Sequence, residues 1–324
     1  MSVIIPVYNE ALYIDKICEF LIKAKPAEKE IFFIDGGSKD ETVSIISKWQ
    51  ELGLNAFVLT NKMKFVPFAL NIAIPKCTAE IIVRLDAHNE YSYDYFEQIL
   101  ETFSETGADI VGGPVRTTAK TPFQEVVAES VKSKFGTGNS NLYNYEYKGY
   151  TDHVILGAWK KSIFSEVGYF DEEMLRDQDE EFHYRAIKHG KKIYISPDIK
   201  LYYHPRGSLK GLFKQYFQYG LFKPLALSKA GRGLKLRHVV PSLFTLYLIS
   251  LVFFPYLLIS IPFMLYLLAD IVLTLRISSG KRLMMRSFLI FPAMHTAYGS
   301  GFILGIFMGR QATRLLQGKQ GFVI

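Results

Sequence analysis

Two hydrophobic rhythms alternate along the first two thirds of the chain. Short apolar runs at residues 3–7, 30–35, 55–59, 80–85 and 109–112 have the length and continuity of buried strands. Between them apolar residues return at helical spacing, as Leu12, Ile17, Phe20 and Leu21 do within 10–24, and helices are also expected over 67–73 and 94–103. Ser38-Lys39-Asp40-Glu41 has the form of a capping box and predicts a helix opening there and running through Trp49. Residues 177–188 read as a helix and 192–196 as a strand. Strands alternating with helices predict an α/β fold, a sheet of parallel strands flanked by helices on both faces. In such sheets ligands bind at the carboxyl ends of the strands, and two of these strands end in carboxylates, Asp35 and Asp86.

Beyond residue 207 the pattern changes. Leu209, Leu212, Phe213, Tyr216 and Phe217 share one face of 208–221, with Lys210 and Lys214 elsewhere, which predicts a helix at a membrane interface; packing into a core is the alternative. Residues 239–275 and 287–309 are nearly free of charge. The first stretch is long enough for two joined spans, with Pro255 or Pro262 near the turn, and the basic loop 276–286 returns to the cytoplasm. The second either spans or is re-entrant, because the basic residues Arg310, Arg314 and Lys319 disfavour an external terminus. Gly301, Gly305 and Gly309 recur every four residues, a spacing for close helix packing, and His295 is either a packing partner or a substrate contact. The expected organisation is a catalytic domain over 1–207, a basic amphipathic segment over 208–238 and membrane helices over 239–324.

Charge sharpens this picture. The net charge is +7, and between Lys188 and Arg237 stand twelve Lys or Arg residues against one acid, Asp198. A basic run directly ahead of an apolar stretch fits attraction to anionic lipid, so membrane lipids are the expected partner and nucleic acid is not. The two cysteines, Cys18 and Cys77, have no metal-site spacing and read as buried thiols. No secretory leader precedes the first strand pattern, which predicts a catalytic part facing the cytoplasm.

Asp86-Ala87-His88 places two potential ligands where a strand gives way to a loop. Carboxylate with imidazole suits Mn2+ better than a pure oxygen site would, with Mg2+ as the alternative. Asp35-Gly36-Gly37-Ser38 puts a carboxylate beside glycines that allow close backbone approach, so Asp35 can accept hydrogen bonds from a base or ribose; a plain strand-to-helix turn is the other reading. No GxGxxG follows the first strand, which argues against a dinucleotide enzyme. The acidic run 177–181 opens a helix, where a carboxylate is stabilised and could serve as a general base.

Val3-Ile4-Ile5-Pro6-Val7-Tyr8-Asn9-Glu10, Asp35-Gly36-Gly37-Ser38-Lys39-Asp40-Glu41-Thr42, Asp86-Ala87-His88 and Gln178-Asp179 follow the order and spacing of family 2 glycosyltransferases. The chain most resembles the succinoglycan-biosynthesis branch, over roughly residues 2–220. The resemblance implies an inverting GT-A fold, a nucleotide-binding mixed sheet flanked by helices, with the C-terminal hydrophobic helices as a membrane anchor. Pro6, Tyr8 and Glu10 would line the nucleotide pocket with Asp35 on the base; Asp86 and His88 would stand near a divalent cation, Mg2+ or Mn2+, and the diphosphate; Asp179 would be the catalytic base. Gly157-Ala158-Trp159 matches the acceptor-side segment, with Gln178 where Glu is usual. His88 departs from the family's DxD pattern. Leu70 replaces a common basic residue, which shifts a diphosphate contact to Lys64. The QxxRW element of polymerising synthases survives only around Gln215 and Tyr219. The expected activity is direct displacement: a hydroxyl of a lipid-linked saccharide attacks a nucleotide sugar, which the resemblance implies is a UDP-hexose, in exopolysaccharide or cell-surface glycan synthesis. A silent membrane scaffold of the same fold and a sugar-nucleotide pyrophosphorylase are the rival readings. The latter lacks support because Tyr8-Asn9-Glu10 stands where a Gly-rich basic loop would be.

Overall fold

The computed structural model describes residues 1–138, 140–231, 234–254, 256–277 and 287–318, which form two compact units. The first is built on Met1–Arg116 and Asn144–Tyr203, the second on Thr117–Tyr143 and His204–Ala312.

The first unit runs β1 (Ser2–Val7), α1 (Ala11–Lys23), β2 (Glu30–Asp35), α2 (Thr42–Glu51), β3 (Ala56–Thr60), α3 (Val66–Ala73), β4 (Ile81–Arg84), β5 (Glu90–Tyr91), α4 (Tyr95–Thr106), β6 (Ile110–Gly112) and β7 (Val115–Thr117). The chain then passes through α5 (Pro122–Lys132) and α6 (Lys134–Thr137) of the second unit. It returns with β8 (Gly149–Tyr150), β9 (Ala158–Lys160), α7 (Ile163–Val167), α8 (Gln178–Lys188), β10 (Ile193–Ile195) and β11 (Leu201–Tyr203). One sheet has the order β3-β2-β1-β4-β9-β6-β10-β8, and a smaller one the order β5-β11-β7. β1 to β4 are mutually parallel, as their continuous apolar runs predict for strands covered on both faces. Further along, the sheet is mixed, as the GT-A resemblance implies. β9 is antiparallel to both β4 and β6, and β8 is antiparallel to β10.

Pro6 sits in central β1, where a missing N–H would ordinarily cost a ladder bond. The β1–β4 register runs only from Ser2↔Ile82 to Ile4↔Arg84, so Pro6 lies beyond its end. The chain after β4 is thereby free to leave the sheet as a loop. The capping box expected at residues 38–41 is not formed. Ser38 Oγ instead accepts from the Asn9 N–H at 2.9 Å, and Asp40 accepts from the Ala11 and Thr42 N–H groups at 3.1 Å each. These side chains hold the loop after β1, and α2 starts later, at Thr42.

The second unit comprises α5, α6, α9 (Leu209–Ala230), α10 (Leu236–Phe253), α11 (Leu257–Ile277) and α12 (Ile290–Gly318). α9 is longer than the amphipathic pattern predicts and passes through Pro224. It is packed against α12 at backbone distance. A Cβ on Gly220 would lie 2.1 Å from the Tyr298 carbonyl, and one on Gly301 or Gly305 would lie 2.1 or 2.3 Å from the Phe217 or Leu221 carbonyl. Small residues are what permit such an approach. Three stretches, Leu236–Phe253, Leu258–Ile277 and Ile290–Met308, are long and apolar enough to cross a membrane. α10 and α11 expose Val252, Phe253, Leu258 and Leu265, a face suited to lipid. Pro262 lies inside α11, so it does not mark the turn between the first two; Pro255 and most of the 276–286 loop lie outside the described residues. His295 is a packing partner. Its Nε2–H donates to the Phe135 carbonyl at 2.8 Å, which leaves Nδ1 to accept from the Tyr266 hydroxyl at 2.9 Å.

Candidate active site

The carboxyl ends of β2, β1 and β4 lie side by side, and each delivers candidate residues. From β2 comes Asp35. Its carboxylate accepts from the Gly37 N–H at 3.0 Å and the Ser38 N–H at 3.1 Å, so the glycine turn orients it. Gly37 has φ +80, which favours glycine, and a Cβ on Gly36 would meet the Tyr8 ring at 3.1 Å. From β1 comes Tyr8, with Lys64 Nζ 4.9 Å above its ring. Two residues on, Glu10 Oε1 meets His88 Nδ1 at 3.1 Å. Thus Glu10 and His88, which the sequence places 78 positions apart, are brought into direct contact.

From β4 comes the centre of the site. Arg84 is 5% exposed, and all three of its guanidinium nitrogens are engaged by carboxylates. Nε and Nη2 bond Asp86 Oδ1 at 3.2 and 3.1 Å, and Nη1 bonds Asp179 Oδ1 and Oδ2 at 3.0 and 2.9 Å. Asp179 stands in the first turn of α8, its side chain 17% exposed. Asp86 and Asp179 therefore share one cation. Burial alone would lower the Arg84 guanidinium, but Asp86 and Asp179 reverse this and hold it above its ordinary value. Burial pushes the Asp179 carboxyl up, Arg84 opposes that, and Asp86 adds to it; the net direction is upward. Such a displaced carboxyl in a polar site has the character of a proton acceptor.

Two tyrosines brace this centre. The Tyr91 hydroxyl accepts from the Asp86 N–H at 2.9 Å and donates to its carbonyl at 3.2 Å. Burial raises the Tyr91 hydroxyl well above its ordinary value, so it stays neutral and available for both roles. Tyr95 donates to the Leu156 carbonyl at 3.3 Å. Asn9, Lys64, Leu156 and Asp177 all have φ between +51 and +65, and each is itself a candidate site residue or adjoins one in sequence. Strained backbone of this kind gathers where ligands bind.

The remaining candidates are dispersed. Pro6 is buried in β1. Gly157 accepts from the Arg84 N–H at 3.3 Å through its carbonyl, and Gln178 is buried at the start of α8. Ala158 and Trp159, expected on the acceptor side, are buried. Both sit on β9, and Trp159, 1% exposed, packs against Phe164 and Phe170 in the core. Gln215 and Tyr219 belong to the second unit, where Gln215 donates to the Tyr219 hydroxyl at 2.9 Å. Arg84, Tyr91 and Tyr95 were not singled out by the sequence. The available signal was a charge inside the apolar run Ile81-Ile82-Val83-Arg84-Leu85, where a buried strand has no place for one without partners.

The model of the family described as "Glycosyl transferase family 2" matches residues 2–167, half of the chain. The chain belongs to glycosyl transferase family 2. It is 31% identical to the succinoglycan biosynthesis protein ExoA of Rhizobium meliloti over 221 residues, covering 67% of each chain. It is 28% identical to a dolichyl N-acetyl-glucosaminyl phosphate glucuronosyltransferase of Methanococcus voltae, over 71% of this chain and 74% of that one. Among solved structures it resembles a mannosyltransferase of Pyrobaculum calidifontis in complex with GDP-Man and Mn2+, with TM-score 0.54, 18% identity, and 98% and 87% of the two chains covered. Residues 1–349 of TarS from S. aureus, in complex with UDP, superpose with TM-score 0.53 at 15% identity over 96% and 91%. These likenesses show a GT-A fold, and family membership makes the protein a glycosyltransferase. The scaffold and pyrophosphorylase readings are set aside. The three apolar helices make it a membrane-associated one.

Proposed function

We propose that this glycosyltransferase moves a sugar from a UDP-hexose to a hydroxyl of a lipid-linked saccharide by a single inverting displacement. The observation that carries this reading is the shared guanidinium, which brings Asp86 and Asp179 together and supports reading the first as the donor-side carboxylate and the second as the proton acceptor. Asp179 removes the proton of the attacking hydroxyl. Asp35 grips the base or ribose, while Tyr8, Glu10 and Lys64 hold the rest of the nucleotide. Gly157 and Gln178 border the acceptor. The dolichyl-phosphate relative supports a lipid-linked acceptor, as does the basic run before the apolar helices, and the succinoglycan relative supports a role in exopolysaccharide synthesis. That run also supports a catalytic unit on the cytoplasmic face of the cell membrane.

Asp86 and His88 fit a divalent cation as two ligands out of six. Arg84 Nη2 stands 3.4 Å from Asp86 Oδ2, which leaves that oxygen lone pairs to offer. Among the described residues no group of three or more His, Cys, Asp or Glu side chains could cage an ion alone, so diphosphate oxygens and water would complete the shell. When bound, Mg2+ or Mn2+ would neutralise charge on the departing nucleoside diphosphate. Membranes containing the protein, incubated with radiolabelled nucleotide sugars and extracted for lipid, test the reading. Label in the lipid phase supports it; label confined to insoluble polymer would overturn it.

A further inference from the structure

Arg84 is an expensive residue for its position. It stands on a strand whose other members are apolar, opposite Ile4 of β1, and apolar packing would stabilise that site as well as an ion pair does. Its guanidinium nonetheless spends one edge, Nε and Nη2, on Asp86 and its remaining nitrogen, Nη1, on both oxygens of Asp179. The two carboxylates stand 93 positions apart in the chain, and only the planar fork of an arginine can hold them both at fixed angles. Asp86 is itself fixed at its backbone by Tyr91, so the fork transmits a fixed position from the donor side to α8.

We propose that Arg84 is a positioning residue that holds Asp179 in register with the donor-side carboxylate, so that Arg84 and Asp179 act in catalysis as one unit. This rests on the reading of Asp179 as the base. Residues that act as a unit lose activity non-additively, which a merely structural arginine would not do.

The test is a double-mutant cycle in the full chain in detergent, using the nucleotide sugar that gives lipid label and its free nucleoside diphosphate as the binding probe. Arg84→Gln is expected to lower kcat by about a hundredfold or more, and Arg84→Gln with Asp179→Asn to be no slower than Asp179→Asn alone. Arg84→Lys, a point charge without the fork, is expected to fall between wild type and Arg84→Gln, with an unchanged melting temperature. Calorimetry should show that nucleoside diphosphate binding is weakened further by adding Asp86→Asn to Arg84→Gln, since Tyr91 holds Asp86 independently of Arg84. Losses that multiply in the double variant, or a kcat in Arg84→Gln within about threefold of wild type, overturn the proposal. Should Arg84→Gln fail to fold, Arg84→Lys decides: a roughly tenfold loss that does not add to Asp179→Asn supports it, and wild-type turnover overturns it. Full activity of Asp179→Asn alone would strike the base reading instead, so the two failures are separable.

Discussion

Asp179→Asn is the perturbation whose consequences the geometry constrains most tightly. The amide has the shape of the carboxyl and keeps one oxygen to accept from Arg84 Nη1, now 2.9–3.0 Å from both carboxylate oxygens. What is lost is charge and proton affinity. The variant takes one carboxylate charge away from the pair that flanks Arg84. An anionic donor therefore meets less repulsion, and its KM should stay level or fall. Exchanging a charge-assisted hydrogen bond for a neutral one costs about 1 kcal/mol of stability, a small drop in melting temperature. The chemical step, deprived of its general base, should slow by about 100- to 10,000-fold, or roughly 3–5 kcal/mol of barrier. Steady-state transfer at saturating donor separates the two parameters. A kcat within tenfold of wild type, or a lost activity that appears wholly in donor KM, refutes the assignment of Asp179.

Further variants address the neighbours of this centre. Lys64→Ala removes the cation above Tyr8 and should raise donor KM about tenfold with kcat little changed, read by the same assay. Tyr91→Phe leaves the part-buried Asp86 N–H without its acceptor and should cost about 1 kcal/mol in chemical denaturation, with a parallel loss of donor affinity. Gly301→Ala drives a Cβ to 2.1 Å from the Phe217 carbonyl and should lower the melting temperature in detergent by an amount matching about 1–3 kcal/mol. His183 is fully buried, its ring nitrogens without a hydrogen-bond partner among the described residues, and burial lowers it to about 3. Its folded value lies below its unfolded one, so stability is intact above about pH 6.5 and falls as pH drops toward 3, by up to about 3 kcal/mol at pH 4.5; His183→Met should flatten that slope.

The hydrophobic pattern carried most of the fold because it reports burial, and burial is what a parallel sheet imposes on its strands. β1, β2, β3, β4 and β6 all fall within a residue or two of the apolar runs that predicted them. The pattern is blind to direction, so antiparallel β9 between β4 and β6 agrees with the mixed sheet that the GT-A resemblance implies and is not read from the apolar runs themselves. The capping box failed for a different reason. Ser38 and Asp40 have the right types for a helix start, but the unpaired N–H groups of Asn9 and Ala11, some thirty positions earlier, compete for the same oxygens. Local sequence cannot show a distant competitor. The strand's alternation likewise turns the Trp159 ring into the core, which its motif alone does not show.

The site was legible where its residues sit at strand ends and illegible where it depends on charge held inside. Asp35 and Asp86 could be found because a carboxylate closing an apolar run is conspicuous. Arg84 lies one turn of the pleat earlier, within the run, and reads as an interruption until Asp179 is brought to it from the far side of the chain. The same is true of the backbone. Nothing about Leu156 foretells φ +51, a conformation a bulky side chain adopts only when its surroundings over-determine it, here with its carbonyl held by the buried Tyr95 hydroxyl. Strained residues and interior charges oppose folding, and they persist at this edge because the apolar sheet beneath them is stable enough to carry them. A local departure from sequence rules beside a strand end is therefore a better guide to this site than any single motif, and Arg84 is the departure that the two carboxylates explain.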